Sequence, residues 1–502
     1  MKQLQCATFE GIDAKTVEVQ FTATKGLPAF TIVGMANTAI TESKERVKSA
    51  LLSNGFTFPP KRLTVNLAPS DLRKEGSHFD LPIAALIALG NYDGDIEDWY
   101  VFGELGLDGN VTENTLLYPI ILSLANQGAI TRAIVPNISL PKLSKIPGIE
   151  FFGVNSLTDT LNLLRAEELP KSQSHVSSFD FNHVIHNDQT YYFHQHYPLD
   201  FSEIKGQEHA KRSALIAACG MHNLLLEGSP GSGKSMIAKR LVHIMPPLHN
   251  DEMLECAKLE ILEGKEPTFT PSRPFRSPHH SSTGASIFGG GTHKAQIGEV
   301  GLAHGGILFF DELPHFSKSV LEALREPLED RRIRISRVNT KVTYDANFLF
   351  VAAMNPCPCG NLFSTSVACR CSDLEINRYK SRLSDPFLDR IDLYVQMHAV
   401  SSEDKSSVTS HDLHTIVRQA FLRQKQRGQE RLNGALSDAE IAQYCPLNSE
   451  AQQVIDQAIG RFGLSFRAVS RVLKVARTIA DIEDSVVIGK THLLEALSYR
   501  KR

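Results

Sequence analysis

Apolar and polar positions change their period several times along this chain. Over residues 1 to about 165, strand and helix patterns alternate. The stretches VEVQFTA and RLTVNLAP carry β-branched residues in alternation, the pattern of half-buried strands. The stretch TESKERVKSALLSNG sets apolar residues at helical spacing and stops at Gly55, and PIAALIALG reads as a second helix. These patterns predict an α+β domain with its own core. From 166 to 200 the chain turns polar and aromatic-dotted without a sustained period, which predicts a linker partly docked on a neighbour. From 201 to 400 the order is helix, strand, glycine-rich loop, helix, then several apolar strands, the order of a doubly wound, mainly parallel sheet. From 401 to 502 strand signals stop. Segments beginning LHTIVRQAFL, AQQVIDQAIG, SFRAVSRVL and KTHLLEALS keep a helical period and predict an all-helical lid. The whole reads as a multidomain α/β protein.

Composition adds bounds. The 502 residues are too many for one core, so two or three domains are expected. Fifty-three Lys and Arg face 56 Asp and Glu, a net charge of −3, so any affinity for nucleic acid must be local. The beginning, MKQLQCATFE, lacks the apolar core of a leader and reads as a strand. No apolar run reaches the roughly 18 residues of a spanning helix. A cytoplasmic chain with no membrane partner is expected. Of the eight cysteines, four fall in one short stretch, which argues against a disulfide framework.

The glycine-rich loop is Gly228, Ser229, Pro230, Gly231, Ser232, Gly233, Lys234 and Ser235, between the apolar NLLLEG and the helical MIAKRLVHIM. That context fits a phosphate-binding loop: glycines let backbone N–H groups curl around phosphates at the positive end of a helix. Lys234 suits the β- and γ-oxygens of ATP, and the Ser235 hydroxyl suits Mg²⁺. A second apolar strand, GILFF, ends in Asp311 and Glu312. Asp311 is placed to hold magnesium and Glu312 to polarise an attacking water. A third, FLFVAAM, ends in Asn355, a polar group fit to orient that water, with a capping asparagine as the plainer alternative.

These motifs and the sequence between them resemble the magnesium-chelatase-like AAA+ family known as YifB or ComM. The likeness rests on FRSPHHSSTGASIFGGG (275 to 291), GEVGLAHGGILFFDELPHF (298 to 316), LEALREPLED (321 to 330), MNPCPCGN (354 to 361), RLSDPFLDRID (382 to 392) and VARTIADI (475 to 482), and it covers nearly the whole chain. Ile297 and Asp385 depart from the family pattern, both at positions expected to lie in loops. The resemblance implies a Lon-protease-like fold for residues 1–165, an AAA+ core at 201–400 and a helical lid at 401–502. It also implies a homohexamer that binds single-stranded or branched DNA and branch-migrates recombination intermediates in natural transformation, with recombination proteins as partners. A chelatase- or chaperone-like ATPase that remodels proteins is the alternative. Arg390 matches the arginine finger that reaches a neighbour's γ-phosphate. Arg467 matches the second sensor, with Arg471 as its rival; a local pairing of Arg390 with Asp385, Asp389 or Asp392 is the plainer reading.

Residues 331 to 348 predict a β-hairpin, with Ile333 and Ile335 on one arm, Val342 and Tyr344 on the other, and a turn near Asn339. Arg337 and Lys341 flank the tip and Arg331, Arg332 and Arg334 follow the arm, cations suited to a DNA backbone. The 275–294 insert adds Arg276, His279, His280 and Lys294, a candidate second channel loop. Cys357, Cys359, Cys369 and Cys371 form a four-thiolate set suited to structural Zn²⁺. In the first domain, FDLPIA lacks a serine where a Lon-type nucleophile is expected, and Ser70, Ser77 and Lys74 form no evident dyad. A non-proteolytic collar is expected there.

Overall fold

The computed structural model describes residues 2–11, 13–35, 37–90, 92–172, 179–290, 296–336, 341–364, 367–398, 401 and 404–500. It comprises two compact units: Met1–Asp180 with Ala257–Thr268, and Phe181–Cys256 with Phe269–Arg502.

The first unit is built on a mixed sheet. Alternation in β2 (Asp13–Thr24) buries Val17, Val19 and Phe21 on one face. That strand pairs antiparallel with β1 (Lys2–Glu10) and β4 (Arg62–Ala68), and β3 (Ala29–Val33) runs parallel to β4. The sheet continues from β1 through β5 (Tyr100–Val101), β6 (Arg132–Pro136) and β7 (Glu150–Val154), all in parallel contact. Helix α1 (Thr38–Ser53) starts at Asn37, whose side chain accepts from the Ile40 N–H at 3.1 Å. Helix α2 (Asp80–Leu89) is buried at nine of its ten positions, so it belongs inside the unit rather than on its surface. Asp80 at its start is buried and held by Arg46 (2.6 Å) and Ser43 (2.5 Å).

The second unit has a five-stranded, all-parallel sheet. Its order is β12 (Phe275–Arg276), β13 (Ile307–Phe310), β16 (Leu349–Met354), β10 (Leu224–Gly228) and β17 (Leu393–Met397). The strands β10, β13 and β16 are buried at every position, as expected of parallel strands covered on both faces. Period-two alternation then splits each run between two cores. Leu224, Leu226, Phe309, Val351 and Ala353 enter one; Leu225, Leu308, Phe310, Phe350 and Ala352 enter the other. The register pairs Glu227 with Met354 and Phe310 with Ala352, so these three strands end at one edge. Helices α3 (Glu208–Gly220) and α4 (Lys234–Leu241) flank β10.

Residues expected to form a linker include a hairpin. Strands β8 (Asn182–His186) and β9 (Gln189–Phe193) pair from Asn182↔Phe193 to His186↔Gln189, and β11 (Leu248–His249) adds to β9. Asn187 and Asp188 form its turn at φ 48° and 61°, the left-handed pair that a two-residue hairpin requires. Arms of only five residues gave no sustained period to read. The expected second hairpin is present, with β14 (Arg332–Ser336) opposite β15 (Lys341–Asp345) and the registers Ile333↔Tyr344 and Ile335↔Val342.

After β17 the regular elements are helical: α6 (Ser410–Gln426), α7 (Asp438–Tyr444), α8 (Ser449–Phe462), α9 (Phe466–Ile482) and α10 (Lys490–Ser498). Capping boxes open two of them, at Thr409 with Asp412 and at Ser437 with Glu440. Among the described residues, no helix is long and apolar enough to cross a membrane.

Two buried histidines make this unit sensitive to acid. His222 lies 2.7 Å from Thr478 Oγ1 and His414 lies 2.9 Å from the Tyr197 hydroxyl. Burial pulls them down to about 4 and about 3. An unfolded histidine takes its proton near pH 6.5, so stability is undiminished above that pH and falls as pH drops toward 4. Denaturant titration at pH 5 is expected to show about 2 kcal/mol lost per histidine relative to pH 7, a loss that His222→Gln reduces. Equal stability at the two pH values would refute this.

Candidate functional site

Because β10, β13 and β16 end together, the segments that follow them share one edge of the sheet. That edge of an open parallel sheet is where ligands bind. After β10 the chain turns at Gly231 and Gly233, at φ 78° and 95°, and enters α4 at Lys234. A Cβ at Gly231 would meet nothing within 4 Å, so the loop is open at its crest. The hydroxyls of Ser229 and Ser232 are buried without a protein partner.

Lys234 is 8% exposed. Its Nζ donates to the carbonyls of Gly228 (2.6 Å) and Ser229 (2.9 Å) and to Asn355 Oδ1 (3.2 Å). Desolvation pulls the lysine below its ordinary range, opposed by the charges of Asp311 and Glu312. Ser235 Oγ donates to Asp311 Oδ2 at 2.9 Å, while Asp311 Oδ1 accepts from the Glu312 N–H at 2.9 Å. The fold therefore brings Lys234, Ser235, Asp311, Glu312 and Asn355 together from three strand ends. A cation, a hydroxyl–carboxylate pair, a second carboxylate and an amide around an open, N–H-rich loop are a donor set that can hold a nucleoside triphosphate with Mg²⁺.

Reading the sequence missed Glu227 and Lys380 and did not place His280 at this edge. Glu227, just before the loop, is fully buried, and Lys380 Nζ lies 3.1 Å from its Oε1. That contact has ion-pair distance but not hydrogen-bond geometry, since both carboxylate oxygens lack a hydrogen-bond partner. His280 Nδ1 stands 3.7 Å from Glu312 Oε2, with the His315 ring 5.9 Å from its own. The paired histidines of the insert were the visible signal, but proximity to Glu312 was not. Arg276 in the same insert is bound by Glu299 at 2.6 and 2.9 Å, and Lys294 lies outside the described residues.

Arg390 and Arg467 do not join this cluster. Both form ion pairs with the carboxylate of Glu329, and Arg390 Nε donates to the Arg325 carbonyl at 3.1 Å. In place of the alternative local partners Asp385, Asp389 and Asp392, the ion pair of Arg390 uses a residue from the helix Arg325–Asp330. The Arg390 carbonyl accepts from the Asn223 side chain at 2.8 Å, at the amino end of β10, whereas the phosphate-type loop leaves its carboxyl end. Arg471, the rival to Arg467, lies 4.0 Å from Asp392.

Ile333 and Tyr344 are buried at the base of the β14–β15 hairpin, while Arg332 and Arg334 are exposed. Arg332 Nε donates to Asp345 Oδ1 at 3.2 Å, and Arg331 Nη1 to Asn347 Oδ1 at 2.6 Å. Arg331, expected on the arm, instead caps the preceding helix at φ 54°. Lys341 opens β15, and Arg337 lies outside the described residues.

After Asn355, Cys357, Cys359 and Cys369 place their sulfurs 3.5 to 3.7 Å apart, and Cys371 completes a set whose sulfurs all lie within 4.8 Å of one another. In the first unit, Lys74 is fully buried with Nζ on the Pro69 carbonyl, and Ser77 Oγ bonds Glu104.

Three family models match the chain. They describe subunit ChlI of magnesium chelatase over residues 17–139, the same subunit over 200–405, and its C-terminal part over 407–500. The competence protein ComM of Haemophilus influenzae is 38% identical over 98% of this chain and 95% of its own length. The protein YifB of Escherichia coli is 38% identical with the same coverage. A more distant relative, Lon protease 2 of Bacillus subtilis, is 26% identical over 30% of each chain.

Proposed function

This chain belongs to the YifB/ComM family of magnesium-chelatase-like AAA+ proteins, and on that premise we propose that it is an ATP-driven, hexameric DNA translocase. It unwinds and branch-migrates recombination intermediates in the cytoplasm during uptake of foreign DNA, alongside recombination proteins. The word competence in the name of the Haemophilus relative supports that setting. On this reading residues 1–165 are a Lon-protease-like domain without proteolysis, 166–200 a connection, 201–400 the motor and 401–502 its lid. The partners of Lys74 and Ser77 support the loss of proteolysis, since neither side chain is paired with the other.

The observation that carries the motor is the meeting of Lys234, Ser235, Asp311 and Asn355 at one sheet edge. Lys234 neutralises the triphosphate. Ser235 and Asp311 would hold Mg²⁺, which would supply charge neutralisation for the triphosphate. Glu312 accepts the proton of the attacking water, and Asn355 orients it. Arg390 lies across the five-residue strand β10, about 16 Å in length, from its own phosphate loop. A neighbouring subunit is the fitting recipient for it, and for Arg467 on the same carboxylate. The β14–β15 hairpin grips the DNA backbone through Lys341 and Arg337, the cations expected from the sequence to flank its tip. The four-cysteine loop holds a structural Zn²⁺.

Strand displacement on forked and three-stranded DNA tests the proposal. ATP is expected to support it and a non-hydrolysable analogue to fail. Arg337→Ala with Lys341→Ala is expected to weaken DNA binding about tenfold and to abolish stimulation of ATP turnover by DNA. Turnover indifferent to DNA in the unaltered protein would favour a protein-remodelling ATPase instead.

A further inference from the structure

The four-cysteine loop is not a separate knuckle; it presses on the phosphate loop. We propose that Zn²⁺ held by Cys357, Cys359, Cys369 and Cys371 sets the conformation of the Gly228–Ser235 loop, so that nucleotide affinity depends on the metal. The inference rests on the nucleotide-binding reading above.

The sulfur geometry fits one tetrahedral ion. Zinc–sulfur bonds of about 2.3 Å place the corners of a tetrahedron about 3.8 Å apart. The three pairs among Cys357, Cys359 and Cys369 stand at 3.5, 3.7 and 3.6 Å, and none of the four cage cysteines is in a disulfide. Backbone N–H groups of Arg370 and Asn361 point at Cys359, that of Cys371 at Cys369, and that of Cys359 at Cys371. Donors around the sulfurs orient thiolates for a metal.

Three contacts connect this cage to the phosphate loop. Gly360 follows Cys359 directly, at φ 79°, and its Cα faces Pro230: a Cβ there would stand 2.6 Å from Pro230 Cδ and 2.8 Å from Cγ. Upstream, Asn355 accepts from Lys234 at 3.2 Å, two residues before Cys357. Downstream, helix α5 (Asp373–Lys380) begins two residues after Cys371 and ends at Lys380, 3.1 Å from the buried Glu227. The segment between Asn355 and Lys380 thus touches the loop before and within the cage, and the residue that precedes the loop after it. Fifteen residues separate Cys357 from Cys371 inclusively. A metal that ties their ends removes the freedom of that stretch to leave Pro230.

The test uses the full-length protein. Elemental analysis after purification under reduction is expected to find one zinc per chain, and titration with a fluorescent non-hydrolysable ATP analogue gives its affinity. Chelation under reduction is expected to weaken the analogue at least about tenfold, and added Zn²⁺, but not Mg²⁺, to restore it. Gly360→Ala is expected to keep its zinc yet bind the analogue more weakly, which isolates the coupling even if the stripped protein loses far-UV circular dichroism. Chains that neither contain nor take up zinc overturn the proposal. So does unaltered affinity in both the stripped protein and Gly360→Ala. Failure of the underlying reading looks different: full zinc occupancy with no analogue bound in any form.

Discussion

The Lys234→Ala variant is expected to bind an ATP analogue roughly 100-fold more weakly than the unaltered chain. The ammonium makes charge-assisted hydrogen bonds, each contributing about 1.5–3 kcal/mol, and two of them to phosphate oxygens reach about 3 kcal/mol or more. Burial strengthens the expectation, because Lys234 is already desolvated and needs only to exchange its acceptors on Gly228, Ser229 and Asn355 for phosphate oxygens. The contrast lies with Glu312→Gln. Glu312 bonds neither Lys234 nor the loop, and its neighbour His280 stands at 3.7 Å. Its amide is expected to leave analogue affinity within about threefold and to lower single-turnover hydrolysis by about 10² to 10⁴. Equilibrium titration and quenched-flow hydrolysis separate the two. Equal affinity in Lys234→Ala and the parent would remove the assignment of the loop.

Arg390→Ala is expected to lower ATP turnover at least about 10³-fold, the effect of withdrawing an arginine finger from another active site. Its fold should survive, because Glu329 keeps Arg467 as a partner when Arg390 is lost. Mixing Arg390→Ala with Lys234→Ala subunits is then expected to restore part of the turnover, since intact loops meet intact arginines at some interfaces. No recovery at any mixing ratio would place the catalytic arginine elsewhere.

The elements around the site were legible because they are local. Runs such as Leu224–Gly228 and Leu349–Met354 announced buried strands by apolarity alone, and Asn187–Asp188 would have announced its hairpin had the arms been longer. What stayed hidden depends on distance along the chain. Ser235 and Asp311 are 76 positions apart yet hydrogen-bonded, and Arg390 finds Glu329 61 positions earlier rather than any adjacent aspartate. The buried Glu227 with Lys380, and His280 beside Glu312, had no local signature either.

By itself the sequence determined the kind of chemistry available and the order in which it is delivered: a glycine-rich turn into a helix, an acidic pair after a strand, four cysteines in one loop. Those properties follow from side-chain and backbone preferences within a few residues. Tertiary structure alone decided which of these groups meet. Parallel register aligned the ends of β10, β13 and β16, placed Arg390 at the other end of β10, and laid Gly360 on Pro230. Such contacts join segments far apart in the chain, and their geometry is set by how whole faces of the sheet pack, which no local pattern records.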